Sequence, residues 1–421
     1  MIRQFMNQGV KKEAKLPARV MDLLKKGVRM TAPFSVEIGD EVDPAKISKS
    51  LVIYGPARIS GSNTFIAENV KLGFEAPVTL IDCQIGPDVE LRGGYFAGSV
   101  FLDKATAGSG AQIRPGCLLE EETGLNHCVG LKQTILFPYV QLGSLINFCD
   151  CLMAGGTSRK NHSEVGSSYI HFNFTPRQDK ATASLIGDVP RGVMLREPPI
   201  FLGGQGAMVG PVKIDFGTVI PAGVICRVDY PGGKTAMRLF SGEKKQKTAV
   251  QRKAISRKVQ RNIEYIASVI ALKQWYLHAR RLFFSGVQEA LHAGAVGVLN
   301  DAIAERVTQL DVLREKISES LAEGEKKHPV KSPSALFTSH WAAARDFLLR
   351  CEPESIGQKE RDAFLLTLRS LADRGTSYLE AIQSLKTKQA ETGSAWLASI
   401  TDTITLECLK HLKYPVVKKR C

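Results

Sequence analysis

The sequence predicts two kinds of structure in succession, an all-β parallel β-helix of hexapeptide repeats and then an all-α domain. Large apolar residues recur at six-residue steps through much of the first 230 residues, with glycine and other small residues between them. Near Ser241 the period changes to spacings of three and four residues, which are typical of an amphipathic helix. We therefore expect a lead-in segment at 1–50, the β-helix at 51–232 and a basic helical domain at 245–421.

The six-residue step is the observation that decides the first fold. It is clearest in one uninterrupted series: Ile113, Leu119, Leu125 and Leu131. Neither a strand of period two nor an amphipathic helix spaces its large residues by six. A triangular coil does, because each hexapeptide supplies a short strand and a turn and points one aliphatic side chain to the axis. Three hexapeptides complete one coil, and successive coils pair in parallel about 4.8 Å apart. An irregular β-sandwich rich in glycine turns is the alternative.

The second fold is predicted from helical spacing after Thr248. Apolar residues there follow one another at steps of four, four, three and four: Ile255, Val259, Ile263, Ile266 and Ile270. Further helices are expected over 282–323, 334–350, 356–389 and 395–413. The segment 326–334, KKHPVKSPS, is rich in helix breakers and links two of them.

Composition restricts where the protein works. No run of about 18 apolar residues is present, so we expect no membrane span. The first residues lack the apolar core of a secretory signal, and the nine cysteines are an odd number, which favours reduced thiols. We therefore expect a cytoplasmic protein.

The net charge of +14 is concentrated in one stretch. Between Lys234 and Arg281, 13 lysines and arginines accompany two acidic residues, so this stretch carries +11. We expect any partner protein or anionic surface to bind the basic helix at 244–281. A solvated helix face is the alternative. Four aromatic residues lie among these basic residues: Trp275, Tyr276, Phe283 and Phe284. Such a pattern can bind nucleic acid or an anionic membrane surface, but helices that pack on a trimer carry the same aromatic residues, and we favour packing.

Several phrases between residues 111 and 230 carry a family resemblance: QIRPGCLLEE, VGLKQTILFPYVQLGS, IHFNF, SLIGDV and FLGGQGAMVGPVKIDFGTVIPAGVI. They resemble the C-terminal acetyltransferase half of bifunctional UDP-N-acetylglucosamine pyrophosphorylase/glucosamine-1-phosphate acetyltransferase, a hexapeptide-repeat acyltransferase. The resemblance implies a left-handed β-helix and a homotrimer with active sites between adjacent β-helices. It also implies a sugar phosphate or nucleotide sugar as ligand and acetyl-CoA as cosubstrate. Nothing in residues 1–50 resembles the nucleotidyltransferase half, so we do not expect the chain alone to make a nucleotide sugar.

Two basic residues give the best physical reason for a binding site. Arg114 and Lys132 are 18 residues apart, which is one full coil, so they should lie one above the other within about 5 Å of strand spacing. Two cations so close repel each other unless an anion lies between them, which favours a phosphate site. Two independent exposed charges are the alternative. The resemblance implies that the pair holds the phosphate of a sugar phosphate.

The resemblance implies ligand contacts for six other residues, and some of these positions differ from the family. It implies substrate contacts for Asn147, Asn173 and Lys180 and cofactor contacts for Gly204, Ala222 and Arg238. Asn147 stands where the family has Tyr, and Gly204 stands where it commonly has Ser. Cys149 and Cys151 are spaced more closely than the cysteines of structural zinc sites, so we expect no metal.

The main difference from the family is the residue at the position of the general base. The family places a His 12 residues after the phosphate-binding Lys, and that position is Ser144 here. Either another histidine has taken over, or the protein does not transfer acetyl groups to amines in the familiar way. His171 is the first candidate, because strand alternation puts it on the same side as Asn173, and His162 in the polar loop 155–164 is the second. Without a base, the protein would be a sugar-nucleotide-binding module or scaffold for a separate nucleotidyltransferase.

Overall fold

A computed structural model describes residues 15–171, 180–232, 249–322 and 332–415. It consists of a parallel β-solenoid followed by a helical region, which confirms the predicted fold class. The solenoid has three sheets, and each complete coil contributes one strand to each sheet in the order I, II, III.

Among the residues that the structure describes, sheets I and II each contain ten parallel strands. The strands of sheet I are Arg29–Met30, Val52–Ile53, Lys71–Leu72, Glu90–Leu91, Thr106–Ala107, Gly124–Leu125, Gln141–Leu142, Glu164–Val165, Phe201–Leu202 and Val219–Ile220. The strands of sheet II are Val36–Ile38, Ala57–Ser60, Val78–Ile81, Gly94–Ala97, Ala111–Ile113, Val129–Lys132, Ile146–Cys149, Ser168–Ile170, Gly206–Met208 and Ile225–Cys226.

Sheet III is shorter, and one hairpin interrupts the coils. Its strands in the described ranges are Phe65–Ile66, Gln84–Ile85, Ser99–Phe101, Cys117–Leu119, Ile135–Leu136, Cys151–Met153, Ser184–Ile186 and Lys213–Ile214. The hairpin pairs Gly156–Ser158 with Asn161–His162 and is inserted between a strand of sheet III and the next strand of sheet I.

The axis of the solenoid is apolar, as the six-residue step predicts. Ile113, Leu119 and Leu131 are fully buried, and Leu125 is almost so. The first strands lie inside the predicted lead-in segment, where Val36 pairs with Ala57 in the next coil. The repeat is hard to read there because two 3₁₀ turns, Pro33–Ser35 and Pro44–Lys46, shift its phase.

The helices are α1 Ala18–Lys26, α2 Val189–Gly192, α3 Ala249–His278, α4 Glu289–Ala322, α5 Pro333–Arg350, α6 Gln358–Ala372, α7 Tyr378–Ser384 and α8 Thr387–His411. Short 3₁₀ turns also occur at Arg280–Phe283, Gly286–Gln288 and Pro353–Ser355. In the described part of the chain, no helix is long and apolar enough to cross a membrane.

The helical region covers the outer face of sheet III. Helices α3 and α4 contact its strands, and one aliphatic row of the sheet is buried beneath them: Val100, Leu118, Ile135, Leu152 and Leu185. Gln84 continues this row, and a Cβ atom at Gly294 of α4 would overlap with its side chain. Sheets I and II keep exposed outward side chains such as Lys71, Gln112 and Tyr169.

Buried charges join the helical region to the solenoid. Arg280 forms ion pairs with Glu120 and Glu121, and Arg306 forms one with Asp150. Arg257, Arg261, Arg280 and Arg281, all in the stretch 244–281, pair with carboxylates of the same chain. Trp275 and Tyr276 are fully buried, which confirms that these aromatic residues pack inside the protein.

Candidate functional site

The outer face of sheet II carries a column of basic residues. Ile113 pairs with Leu131, so Arg114 and Lys132 follow at equivalent positions of adjacent coils, and Lys132 pairs with Cys149. Arg114 Nη2 lies 3.6 Å from Cys149 Sγ, so the guanidinium extends over the coil of Lys132 to the third coil. Neither cation forms an ion pair with a carboxylate among the residues that the structure describes. This column is therefore available to an anion.

Asn147 lies on the same strand as Cys149 and completes the polar surface. The two side chains contact each other, with Cys149 Sγ 3.6 Å from Asn147 Oδ1. Asn147 pairs with Gly130 of the preceding coil and with Tyr169 of the following one. A Cβ atom at Gly130 would lie 3.6 Å from Asn147 Oδ1, an ordinary contact, so packing does not require glycine there. The missing side chain leaves a shallow recess beside Asn147.

Ser144, at the family's base position, lies at the edge between sheets I and II. Its Oγ is 2.8 Å from Nδ1 of His127, the equivalent residue one coil earlier. The His127 ring is exposed, and Ser144 is half-buried. Sequence reasoning missed His127, although it lies 17 residues before Ser144 and the coil period places it alongside.

The edge between sheets I and II also contains Gly204 and Ala222, the two residues for which the family resemblance implies cofactor contacts. Leu142, Val165, Leu202 and Ile220 are in register, so Ser144, Ser167, Gly204 and Ala222 occupy equivalent positions two residues further on. Gly223 N donates to Gly204 O at 2.9 Å, which holds these two coils together. Three coil steps of about 4.8 Å therefore separate Ser144 from Ala222, roughly 14 Å along a straight edge.

His171 does not lie on the surface of sheet II. The residue occupies the corner between sheets II and III with a φ of 61°, so strand alternation does not apply to it. Its Nε2 is 2.7 Å from Ser184 Oγ inside the protein, and burial, with the charge of Arg306, lowers its pKa to about 3. The expectation that His171 lines a cleft is wrong for this reason. Its expected neighbour Asn173 lies outside the described residues.

His162 lies at a different corner, between sheets III and I. Its Nδ1 is 2.7 Å from Arg159 O, and its Nε2 is 3.7 Å from Glu164 Oε2. The hairpin that carries it is held to the turn two coils earlier by a hydrogen bond from Arg159 Nη1 to Glu122 O. Within one chain, the structure therefore does not bring His162 together with Lys132.

The remaining sequence candidates are dispersed. Lys180 is exposed at the start of the segment that enters sheet III, and Arg238 lies outside the described residues. Cys149 belongs to sheet II and Cys151 to sheet III, with a turn at Asp150 between them, so the two thiols do not share a face.

The six-residue coils and their three parallel sheets define a hexapeptide-repeat β-helix. In sequence, the chain is similar to Bifunctional protein GlmU of Thermotoga maritima, with 25% identity over 214 residues, 51% of this chain and 42% of that protein. Bifunctional protein GlmU of Nitratidesulfovibrio vulgaris is 24% identical over 229 residues (54% and 45%), and that of Lawsonia intracellularis is 27% identical over 217 residues (50% and 41%). These similarities confirm the predicted resemblance, although the matched region spans less than half the length of each relative. No protein-family model matches the chain.

Proposed function

We propose that this protein is an acyl-CoA-dependent acyltransferase of nucleotide-sugar metabolism, and that it binds a sugar phosphate or a nucleotide sugar on sheet II. The observation that carries the proposal is the column of Arg114 and Lys132 beside Asn147. Its two cations have no carboxylate partner among the described residues. A phosphate between them would offset their repulsion and accept charge-assisted hydrogen bonds from both.

The edge between sheets I and II supports acetyl-CoA as the cosubstrate. Gly204 and Ala222 present little side chain there, and Ala222 is exposed. An extended ligand along this edge would pass close to the backbone and reach Ser144 beside sheet II. This arrangement agrees with what the family resemblance implies for both residues.

A homotrimer is the assembly that we propose. Helices cover sheet III, which leaves sheets I and II available for copies of the solenoid to pack side by side. These sheets and their shared edge carry exposed apolar side chains, among them Leu145 at 62%, Phe201 at 41% and Ile225 at 51% exposure. Exposed apolar groups of this size often mark association sites. A ring of three copies would set sheet II of one copy opposite sheet I of the next, with the basic column in the cleft between them.

The proposed chemistry is direct acyl transfer. An amine or hydroxyl of the bound sugar phosphate attacks the thioester carbonyl of acetyl-CoA, a carbon–nitrogen or carbon–oxygen bond forms, and the carbon–sulfur bond breaks. A base must take the proton of the attacking group, and the released thiolate takes up a proton.

The test is a paired measurement of binding and of thiol release. The double variant Arg114→Met/Lys132→Met should lose calorimetric binding of UDP-N-acetylglucosamine and glucosamine 1-phosphate while its melting temperature stays close to that of the wild type, because exposed like charges contribute little to folding. Arg58→Met is a matched control on the same sheet, where Arg58 pairs with Glu37. Unchanged affinity in the double variant would contradict the phosphate site. Ligand binding without thiol release from any sugar phosphate acceptor would leave only a binding module.

A further inference from the structure

We propose that His127, held by Ser144, is the general base of this acyl transfer. The base has then moved one coil toward the N-terminus from the position where the family has it. The inference rests on the proposed function, because it names the group that the reaction needs and that residue 144 itself cannot supply.

The geometry fits a base with a fixed tautomer. Ser144 Oγ lies 2.8 Å from His127 Nδ1. When Nδ1–H donates to the hydroxyl oxygen, Nε2 keeps its lone pair and serves as the proton acceptor. Across the described ranges, no side chain or backbone group forms a hydrogen bond with Nε2. The exposed ring therefore offers a basic nitrogen to solvent or to a ligand at this edge.

The surroundings of His127 differ from those of His171 and His162, the other two candidate bases. His171 is buried and engaged with Ser184, and His162 contacts Arg159 and Glu164 at a different corner. His127 instead lies on the edge where the cofactor residues lie. It also borders sheet II, whose outer face carries the basic column.

The step balances without any further reactant. Nε2 of His127 takes the proton from the attacking amine or hydroxyl as the new bond to the carbonyl carbon forms. The tetrahedral intermediate then expels the coenzyme A thiolate, which takes the proton back from the imidazolium. Ser144 is a positioning residue in this scheme, since it acts only through the ring of His127.

The experiment compares His127→Gln, Ser144→Ala and the control His162→Gln in an acetyl-CoA thiol-release assay over a range of pH. His127→Gln should lower kcat by about 10²–10⁴-fold, the usual loss for a general base, and leave calorimetric binding of UDP-N-acetylglucosamine unchanged. Ser144→Ala should keep part of the activity but shift the acid limb of the pH–rate profile, which a purely structural role would not move. His162→Gln should retain the wild-type rate.

The outcomes distinguish this inference from the proposed function. Wild-type thiol release with an equally active His127→Gln variant would overturn the inference and leave the acyltransferase proposal intact. An acetyl group on Ser144, detected by peptide mass spectrometry after a single turnover, would show a nucleophile in place of a positioning residue and would also overturn it. Absence of thiol release from the wild type would remove both proposals.

Discussion

Replacement of Arg280 by alanine should be among the most damaging single changes at the contact between the two regions. The side chain is 1% exposed, and its Nη2 lies 2.8 Å from Glu121 Oε2 and 3.1 Å from Glu120 Oε1. Tyr276 donates its hydroxyl to Glu120 at 2.5 Å, and the centroid of the Tyr378 ring lies 3.8 Å from the guanidinium carbon of Arg280. The variant would leave two buried carboxyl groups without a cation.

The expected cost follows from that arrangement. Removal of one partner from a buried ion pair typically costs about 3–5 kcal/mol, because the remaining charge stays desolvated. Burial already raises the pKa of Glu120, and Arg280 acts against that rise. Its loss would raise the pKa of Glu120 further, and the folded state would then hold a proton that the unfolded state releases as pH rises. The variant should therefore be less destabilised at pH 5 than at pH 8.

Chemical denaturation followed by tryptophan fluorescence measures the effect, because Trp275, Trp341 and Trp396 are all buried in the helical region. The neighbouring variant Arg281→Ala is the control. Arg281 pairs with Glu289 at a site where both side chains are about half exposed, and such pairs contribute about 0–1 kcal/mol. Equal losses in the two variants, or the same loss at pH 5 and pH 8, would refute the reasoning.

Two further predictions concern pH and assembly. Burial, and then the charge of a neighbouring glutamate, raises the pKa of Asp103 from 3.8 to about 7. The folded state therefore binds this proton more tightly than the unfolded state does. The stability that the bound proton contributes is lost as pH rises from about 4 to 7. Asp103→Asn should make the melting temperature less dependent on pH across that window. An unaltered pH dependence would contradict the raised pKa of Asp103. Ile225→Arg on sheet II should reduce a trimeric mass toward that of one chain in light scattering, whereas Leu366→Arg, at an even more exposed apolar site on α6, should not. A mass of one chain for the wild type at micromolar concentration would contradict the trimer itself.

The architecture of the solenoid was predictable because a six-residue period directly identifies the side chains that point to the axis. A residue repeated at that interval returns to the axis whatever its neighbours are, so Leu119 and Leu131 were assigned to the core without knowledge of any contact. The first coil escaped notice because turns shift its phase before Val52. The period carries no information on what covers a sheet, and the docking of α3 and α4 on sheet III was therefore not foreseen.

The candidate site was predictable where it depends on residues one coil period apart, because such residues lie one above the other on adjacent coils. Arg114 and Lys132 follow that rule, and the same rule applied one coil backward from Ser144 leads to His127. His171 required a different rule, strand alternation, which holds only while the backbone remains extended. A positive φ at the corner redirects its side chain inward, and no residue type at position 171 signals that change.

The aliphatic row on the outer face of sheet III has a consequence for synthesis of the chain. Leu118 and Ile135 are translated long before α4, the helix that shields this face. Until α3 and α4 emerge from the ribosome, a nascent solenoid presents a ladder of apolar side chains to other proteins, which favours aggregation. A fragment that ends near residue 232 would keep that ladder exposed permanently. Recombinant fragments should therefore retain the helices, and truncation at the apparent boundary between the two architectures should yield insoluble protein.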